Sequence, residues 1–338
     1  MSMQIKDINS GQPVSGRYMI AENQLRTAKT GSNYLAMKIV DSTGELAVKV
    51  WDAGEEIFRR LAVGSVIELN QVSSKQFKEQ IQLEWDSKNS NAFHLVPETE
   101  TNYSEFLPHA PGELAEYWTF LEQKIGSVKE PALKQILDYF FTDREFVAHF
   151  LRVPAALKRH HAYIGGLVEH TVGVVSLCDA AAGFYPRVNR DLLISGAILH
   201  DIGKTRTYKI GRGFDGTDEG KLIGHLILGI EMVEKAIASV NVELKEQDFR
   251  EVLRNNLIHL LVSHHGIMEW GSPVEPLTVE ACILHHADNM DAEVTKFLTI
   301  ARARDGVEEW APYDSGLGRS IYLKTSFPKV ETKLSEEV

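Results

Sequence analysis

Basic residues, cysteine and long apolar runs are all scarce in this 338-residue chain, and each shortage excludes something. Lysine and arginine number 36 against 47 aspartates and glutamates, a formal net charge of −11. That balance argues against a protein that coats nucleic acid by bulk electrostatics, while leaving room for a local basic groove. The 2 cysteines, Cys178 and Cys282, lie in helix-like apolar settings and cannot form a disulfide framework. They read as reduced core thiols of a cytoplasmic protein. No apolar run approaches the length of a membrane span. The opening MSMQIKDINSGQ lacks the basic start and apolar stretch of a signal peptide. The expectation is therefore a cytoplasmic chain with no membrane partner. Internal repeats and low-complexity tracts are also missing. What is abundant is histidine: most of the 13 fall between His149 and His286.

The length suggests about two or three domains, and the hydrophobic periodicity divides the chain accordingly. From Val14 to about Trp85 it has the two-residue period of strands. In NYLAMKIVDSTGELAVKVWD, Leu35, Met37 and Ile39 face one way, and Tyr34, Ala36 and Lys38 the other. After the turn DSTGE, where Gly44 is free to take a positive φ, Leu46, Val48 and Val50 alternate with Ala47, Lys49 and Trp51. SVIELNQV and QIQLEW add two shorter strands, and GEEIFRRLAVG reads as a short helix ahead of the fourth strand. This pattern suggests a small closed barrel of the OB type, with a sandwich fragment as the competing reading. PETETNYSEFLPHAPGE, polar and with three prolines, suits a linker. From Glu113 onward, successive segments carry apolar residues at helical spacing, and no strand signal separates them. The expected architecture is multi-domain α+β, with a β-barrel followed by an all-α bundle.

Within those helices, six polar residues sit at the ends or on the apolar faces of segments otherwise built for burial. His170 lies in LVEHTVGVV, His200 and Asp201 end GAILHD, and His225 opens GHLILG. His264 ends LVSHHG, where Gly266 serves as the helix stop, and Asp288 lies in LHHADNMDA. One such histidine is ordinarily a satisfied core residue. Six are different, because each unpaired buried polar group costs roughly several kcal/mol and the set needs a common partner. A metal pair is the economical partner, and imidazole with carboxylate suits first-row ions such as Mn²⁺, Fe²⁺ or Zn²⁺.

The order H…HD…H…H…D resembles that of the HD-domain metal-dependent phosphohydrolases. By that resemblance His170, His200, Asp201 and Asp288 hold one metal, and Asp201 bridges to a second completed by His225 and His264. Manganese is the first expectation for both ions, with Fe²⁺, Zn²⁺ and Mg²⁺ as alternatives. HHAYIGGLVEHT, GAILHDIGK, SHHG and LGRSIY, together with the barrel-like start, resemble the YhaM-type 3′→5′ exoribonucleases, which join an OB fold to an HD domain. The resemblance covers nearly the whole chain and is loosest in the strand region. The expected division is an OB domain over 1–96, a linker and leading helix over 97–130, the HD domain over 131–310 and a C-terminal extension over 311–338.

Other residues carry weaker expectations. Lys204, three beyond Asp201, is either a phosphate contact or a solvated lysine. His265 either reaches the phosphate or leaving oxygen or packs behind the ligands. His161 is a weak phosphate candidate, while Lys158, Arg159 and His160 read as basic surface. Glu169 reads as solvated or as a support behind the ligands, His285 and His286 as core or helix surface, and Arg319 as a surface arginine able to meet substrate. On the barrel, Tyr34, Lys38, Lys49 and Trp51 share a face suited to stacking bases and meeting phosphates, with Phe77 in the SSKQFKEQ loop a similar candidate. The alternative is that Trp51 packs under the barrel rim or against the helical domain. The resemblance implies degradation of single-stranded RNA from the 3′ end to 5′-mononucleotides; because a water nucleophile needs no 2′-hydroxyl, single-stranded DNA is a further candidate substrate, and a homo-oligomer is a further expectation. Two other readings stay open: an HD phosphohydrolase of a nucleotide or cyclic nucleotide whose barrel serves assembly, and a single-strand-binding module with a vestigial site.

Overall fold

The computed structural model describes residues 2–77, 80–157, 161–239, 247–302 and 309–324. Lys158, Arg159 and His160, expected to form a basic surface, lie outside the described residues.

The N-terminal half is β1 (Pro13–Thr27), β2 (Asn33–Asp41), β3 (Gly44–Trp51), the short α1 (Glu55–Arg60), β4 (Val66–Phe77), β5 (Gln80–Asp86) and β6 (Phe93–Val96). The strand order is β1-β2-β3-β5-β4, and β4 pairs back onto β1, so five strands close a barrel. Only the β3–β5 pair is parallel in that ring, with α1 between β3 and β4, which is the OB arrangement. The long β1 serves both sides of the closure. Its first part pairs with β4 and its second with β2, and a register shift between Ile20 and Glu22 lets it bend. Leu35, Met37, Ile39, Leu46, Val48 and Val50 all point into the core, as the alternation requires.

Three local expectations need correction. The β2–β3 turn is built by a side chain and not by a positive φ at Gly44. Asp41 Oδ1 accepts from the Thr43 and Gly44 amides at 2.7 and 3.2 Å, and Oδ2 from the Ile5 amide at 2.8 Å. The fourth strand is not short: β4 runs through SSKQF to Phe77, because pairing with β5 overrides turn-like composition. Finally, 97–111 is not a free linker. Phe106 and Leu107 pack with Met19 and Val66 of the barrel and with Ile164 of the helical half, which ties the two together.

The C-terminal half contains α2 (Leu114–Ser127), α3 (Pro131–Phe141), α4 (Arg144–Phe150), α5 (Gly166–Phe184), α6 (Arg190–Leu199), α7 (Lys204–Thr207), α8 (Asp218–Leu222), α9 (His225–Ser239), α10 (Gln247–Ser263) and α11 (Val279–Arg302). It is not wholly helical, because β7 (Tyr208–Ile210) and β8 (Phe214–Gly216) form a hairpin after α7. Short polar caps start the helices where the sequence changes character. Asp143 accepts from the Glu145 and Phe146 amides to start α4, and Asn189 accepts from the Leu192 amide to start α6. α6 is the central rod, buried from Leu192 to Leu199. At Gly196 it meets α10 so closely that a Cβ would lie 2.2 Å from Leu260 Cδ2. The leading helix α2 packs Leu121 and Ile125 into this same core.

α5 has the length and apolarity of a membrane span, contrary to the expectation that no run approaches one. Its buried face, from Leu167 and Val168 to Val174 and Cys178, is part of the bundle core. Cys178 is buried as expected, but Cys282 is exposed on α11 and is not a core thiol.

Candidate metal centre and nucleic-acid face

Three helix termini and two helix faces bring the histidine–aspartate set to one place. α6 ends at Leu199, so His200 and Asp201 emerge from its buried C-terminal end. Gly203 then lets α9 approach, since a Cβ there would lie 2.0 Å from the carbonyl oxygen of His225, the first residue of α9. α10 stops at Ser263, and Gly266 at φ +85° turns the chain. No side chain fits at Gly266, because a Cβ would lie 2.1 Å from the His285 ring. His170 comes from the buried face of α5 and Asp288 from α11.

The donor atoms form two groups sharing Asp201. In the first, His170 Nε2 lies 3.1 Å from Asp288 Oδ1, 3.4 Å from Asp201 Oδ2 and 3.2 Å from His200 Nε2, while His200 Nε2 lies 3.3 Å from Asp201 Oδ2. In the second, Asp201 Oδ1 lies 3.4 Å from His225 Nε2 and 3.7 Å from His264 Nε2, and His225 Nε2 lies 3.2 Å from His265 Nε2. These are the spacings that donors around one ion adopt when each bond is about 2.0–2.2 Å. His265, expected either to reach the phosphate or leaving oxygen or to pack behind the ligands, lies instead among the donors of the second group.

The rings are oriented for coordination. His200, His264 and His265 each place Nδ1 2.8 Å from a backbone carbonyl, those of Ala197, Leu261 and Trp270. A carbonyl only accepts, so Nδ1 is the donor in each ring and Nε2 is the nitrogen turned inward. Burial also pushes the His264 pKa well below its usual value, and that of His225 down to about 3, keeping both neutral. Asp201 Oδ1 and His264 Nε2 are buried with no hydrogen-bond partner. Lone pairs facing one another in a buried space are unfavourable unless a cation lies between them, so these residues fit divalent metal.

Negative charge is concentrated here too. Burial opposes ionisation of Asp201, but Lys204, His200 and His170 outweigh it and hold the carboxyl well below the usual range. Burial likewise opposes protonation of His170, yet Asp201, Asp288 and Asp291 outweigh it and raise its pKa well above the ordinary value. Lys204 is largely buried, with Nζ 2.5 Å from Asp201 Oδ2. It is not a solvated lysine.

Sequence reasoning missed the structure behind His170. Asp291, one helical turn past Asp288, accepts at Oδ2 from His170 Nδ1 at 2.7 Å and lies 2.8 Å from His161 Nε2. His161 Nδ1 in turn lies 3.0 Å from Glu169 Oε2, and Tyr163 and Tyr117 donate to that carboxylate. His161 is therefore not a phosphate contact: it is buried, with both nitrogens engaged inside the protein. Gly173 makes the space, since a Cβ would lie 2.1 Å from Asp291 Oδ1. The D-x-x-D spacing on one helix was the available signal. His285 supports the second group through Nδ1, 2.8 Å from the His264 carbonyl. Arg319 is exposed, over the Phe297 ring and 4.0 Å from Glu293 of α11.

A cleft of about 190 Å³ opens onto the donors, with Asp201, Lys204, His265 and Asp288 at its floor. On the barrel, Tyr34 and Trp51 are direct cross-strand partners with ring centroids 5.3 Å apart. Trp51 is half-buried on this outer face, not tucked under the rim. Lys49 Nζ lies 5.5 Å from the Trp51 ring and 4.5 Å from that of Phe77, which is exposed at the end of β4 and not in a loop. Lys38 is neutralised between Glu22 and Glu45, at 3.1 and 3.2 Å.

A family model described as HD domain matches residues 167–293. The chain is 32% identical over 321 residues to the 3′-5′ exoribonuclease YhaM of Bacillus subtilis, covering 94% of this chain and 97% of that protein. It is also 32% identical over 295 residues to the 3′-5′ exoribonuclease YhaM of Listeria welshimeri, covering 87% of this chain and 90% of that one.

Proposed function

The chain belongs to the YhaM family of 3′-5′ exoribonucleases, and from that premise we propose how its residues divide the work on single-stranded RNA. His170, His200, Asp201 and Asp288 would hold one divalent ion, and Asp201 with His225, His264 and His265 would hold a second. Manganese is the first choice for both. The observation that carries this reading is the pair of orphaned atoms, Asp201 Oδ1 and His264 Nε2, buried within the second donor group while Asp201 Oδ2 faces the first. A carboxylate suits the shared position because it has two oxygens, whereas an imidazole turns one nitrogen inward.

Divalent ions bound there supply Lewis acidity to phosphoryl oxygens and acidify water. The protein's own groups supply the rest. Lys204 presents its ammonium at the cleft floor beside Asp201, where a phosphate oxygen arrives. Asp291, held by His161 and through it by Glu169, fixes the His170 ring. Water attacks phosphorus, and the 3′ oxygen of the penultimate nucleotide leaves, so the released nucleotide keeps its phosphate at the 5′ position. No 2′-hydroxyl takes part, so single-stranded DNA is a second substrate. On the barrel, Tyr34, Trp51, Lys49 and Phe77 grip the body of the strand, while Lys38, already paired with two glutamates, contributes little.

The test is a 5′-labelled single strand incubated with the wild type and with Asp201→Asn. The wild type should give a descending ladder. Asp201→Asn should abolish it and lower metal content by elemental analysis while keeping the helical circular dichroism. Turnover of small nucleotides without strand shortening would instead support a nucleotide phosphohydrolase. Normal activity and metal content in Asp201→Asn would overturn the shared-carboxylate assignment.

A further inference from the structure

A large aromatic side chain stands at the mouth of the cleft. Trp270 lines the same space as Asp201, Lys204, His265 and Asp288, yet its side chain is 54% exposed. Exposure of so large an apolar ring forfeits burial energy, and here the ring is held out by a tight, well-tied turn. The Trp270 amide donates to the Ile267 carbonyl at 3.1 Å, and Gly271, at φ +90°, donates to Met268 at 2.9 Å. The buried Ser272 then anchors the turn, its amide donating to the Ile267 carbonyl at 3.2 Å and its hydroxyl to the Val262 carbonyl at 3.1 Å. The Trp270 carbonyl accepts from His265 Nδ1 at 2.8 Å, so the main chain at Trp270 is tied directly to a residue of the second donor group. His285 backs the indole with its centroid 6.1 Å away and is itself held by the His264 carbonyl. The cleft is also lined by the small Ala155 and Ala292, which leave room for a planar group.

We propose that Trp270 stacks on the base of the 3′-terminal nucleotide, holding its phosphate over the donor groups. The inference rests on the exonuclease reading above and adds the residue that recognises the terminal nucleotide. A π-face recognises every base, so the contact lets successive nucleotides be removed without regard to sequence. It also makes the enzyme sensitive to whether the terminal residue carries a base at all.

The experiment uses the full chain with Mn²⁺ and two short RNAs, one ending in an intact nucleotide and one in an abasic residue. The rate of the first cleavage is measured for the wild type, Trp270→Ala, Trp270→Leu and Trp270→Phe, together with metal content. The wild type should cut the abasic end about 5- to 150-fold less efficiently, the factor equivalent to ~1–3 kcal/mol per stacked base. Trp270→Ala and Trp270→Leu should lose a similar factor on the intact end, mostly in KM, and show almost no further loss on the abasic end. Trp270→Phe should recover most of the intact-end rate, with metal content unchanged throughout. Leucine keeps apolar bulk without a π-face, so it carries the test if the alanine variant does not fold. An abasic penalty as large in the variants as in the wild type, or an equal slowing on both ends, would overturn the stacking role. Failure of the wild type to shorten the intact strand would instead overturn the exonuclease reading.

Discussion

Replacing Gly173 by alanine sets two well-known effects against each other. In mid-helix the change ordinarily stabilises by about 1 kcal/mol, through chain entropy. At this position in α5 the new methyl would lie 2.1 Å from Asp291 Oδ1 and 2.9 Å from its carboxyl carbon. The carboxyl group is the end of a side chain and can swing aside, so the backbone need not move. Swinging aside, however, displaces Oδ2, which lies 2.7 Å from His170 Nδ1 and 2.8 Å from His161 Nε2. Hydrogen bonds to a charged group contribute about 1.5–3 kcal/mol each, so losing both outweighs the helix gain and leaves a net loss of about 2–5 kcal/mol. The His170 ring also loses its orienting partner, and loss of such support lowers metal affinity about 10- to 100-fold. Urea unfolding in chelator reads the first effect, and calorimetric titration with Mn²⁺ reads the second. A variant that gains about 1 kcal/mol and binds metal as before would refute the argument that Asp291 is crowded into its role.

Two further outcomes follow from other parts of the molecule. Tyr34→Ala with Trp51→Ala should weaken single-strand binding by roughly 1–3 kcal/mol per lost stack while hardly changing hydrolysis of a dinucleotide; equal losses on long and minimal substrates would show that the barrel face does not grip the strand. Asp179 of α5 accepts from Lys124 of α2 and Arg190 of α6, at 2.8 and 2.7 Å. Burial pushes its pKa up, but the two cations outweigh that and hold it below the ordinary value. Its contribution is therefore fully present above the unfolded pKa of about 3.9 and is lost as pH falls through the lower folded value. Asp179→Asn should cost about 1 kcal/mol at neutral pH, since such partly exposed pairs are weak. That gap should narrow below about pH 4, and a gap constant across acid unfolding curves would sink the assignment.

The pattern of residues by itself determined what depends on near neighbours along the chain. Leu35, Met37 and Ile39 alternate because a pleated strand sends successive side chains to opposite faces, so the barrel's inward set was legible. His170, His200, Asp201, His225, His264 and Asp288 were legible because polar groups on apolar helix ends stand out against a burial period. Tertiary structure decided whatever depended on residues far apart in sequence. SSKQF reads as part of a loop and becomes strand only because β5 pairs with it. Phe106 and Leu107 look like linker until Met19, Val66 and Ile164 enclose them. The D-x-x-D spacing places Asp291 on the helix face of Asp288, and His161 reads as a weak phosphate candidate, but nothing near either shows what it will touch. They become the support of His170 only because α5 and α11 cross at Gly173, where the missing side chain admits one carboxylate between two histidines. A local pattern records which face of an element is buried, but not what lies against it, and hydrogen-bond partners depend on the latter.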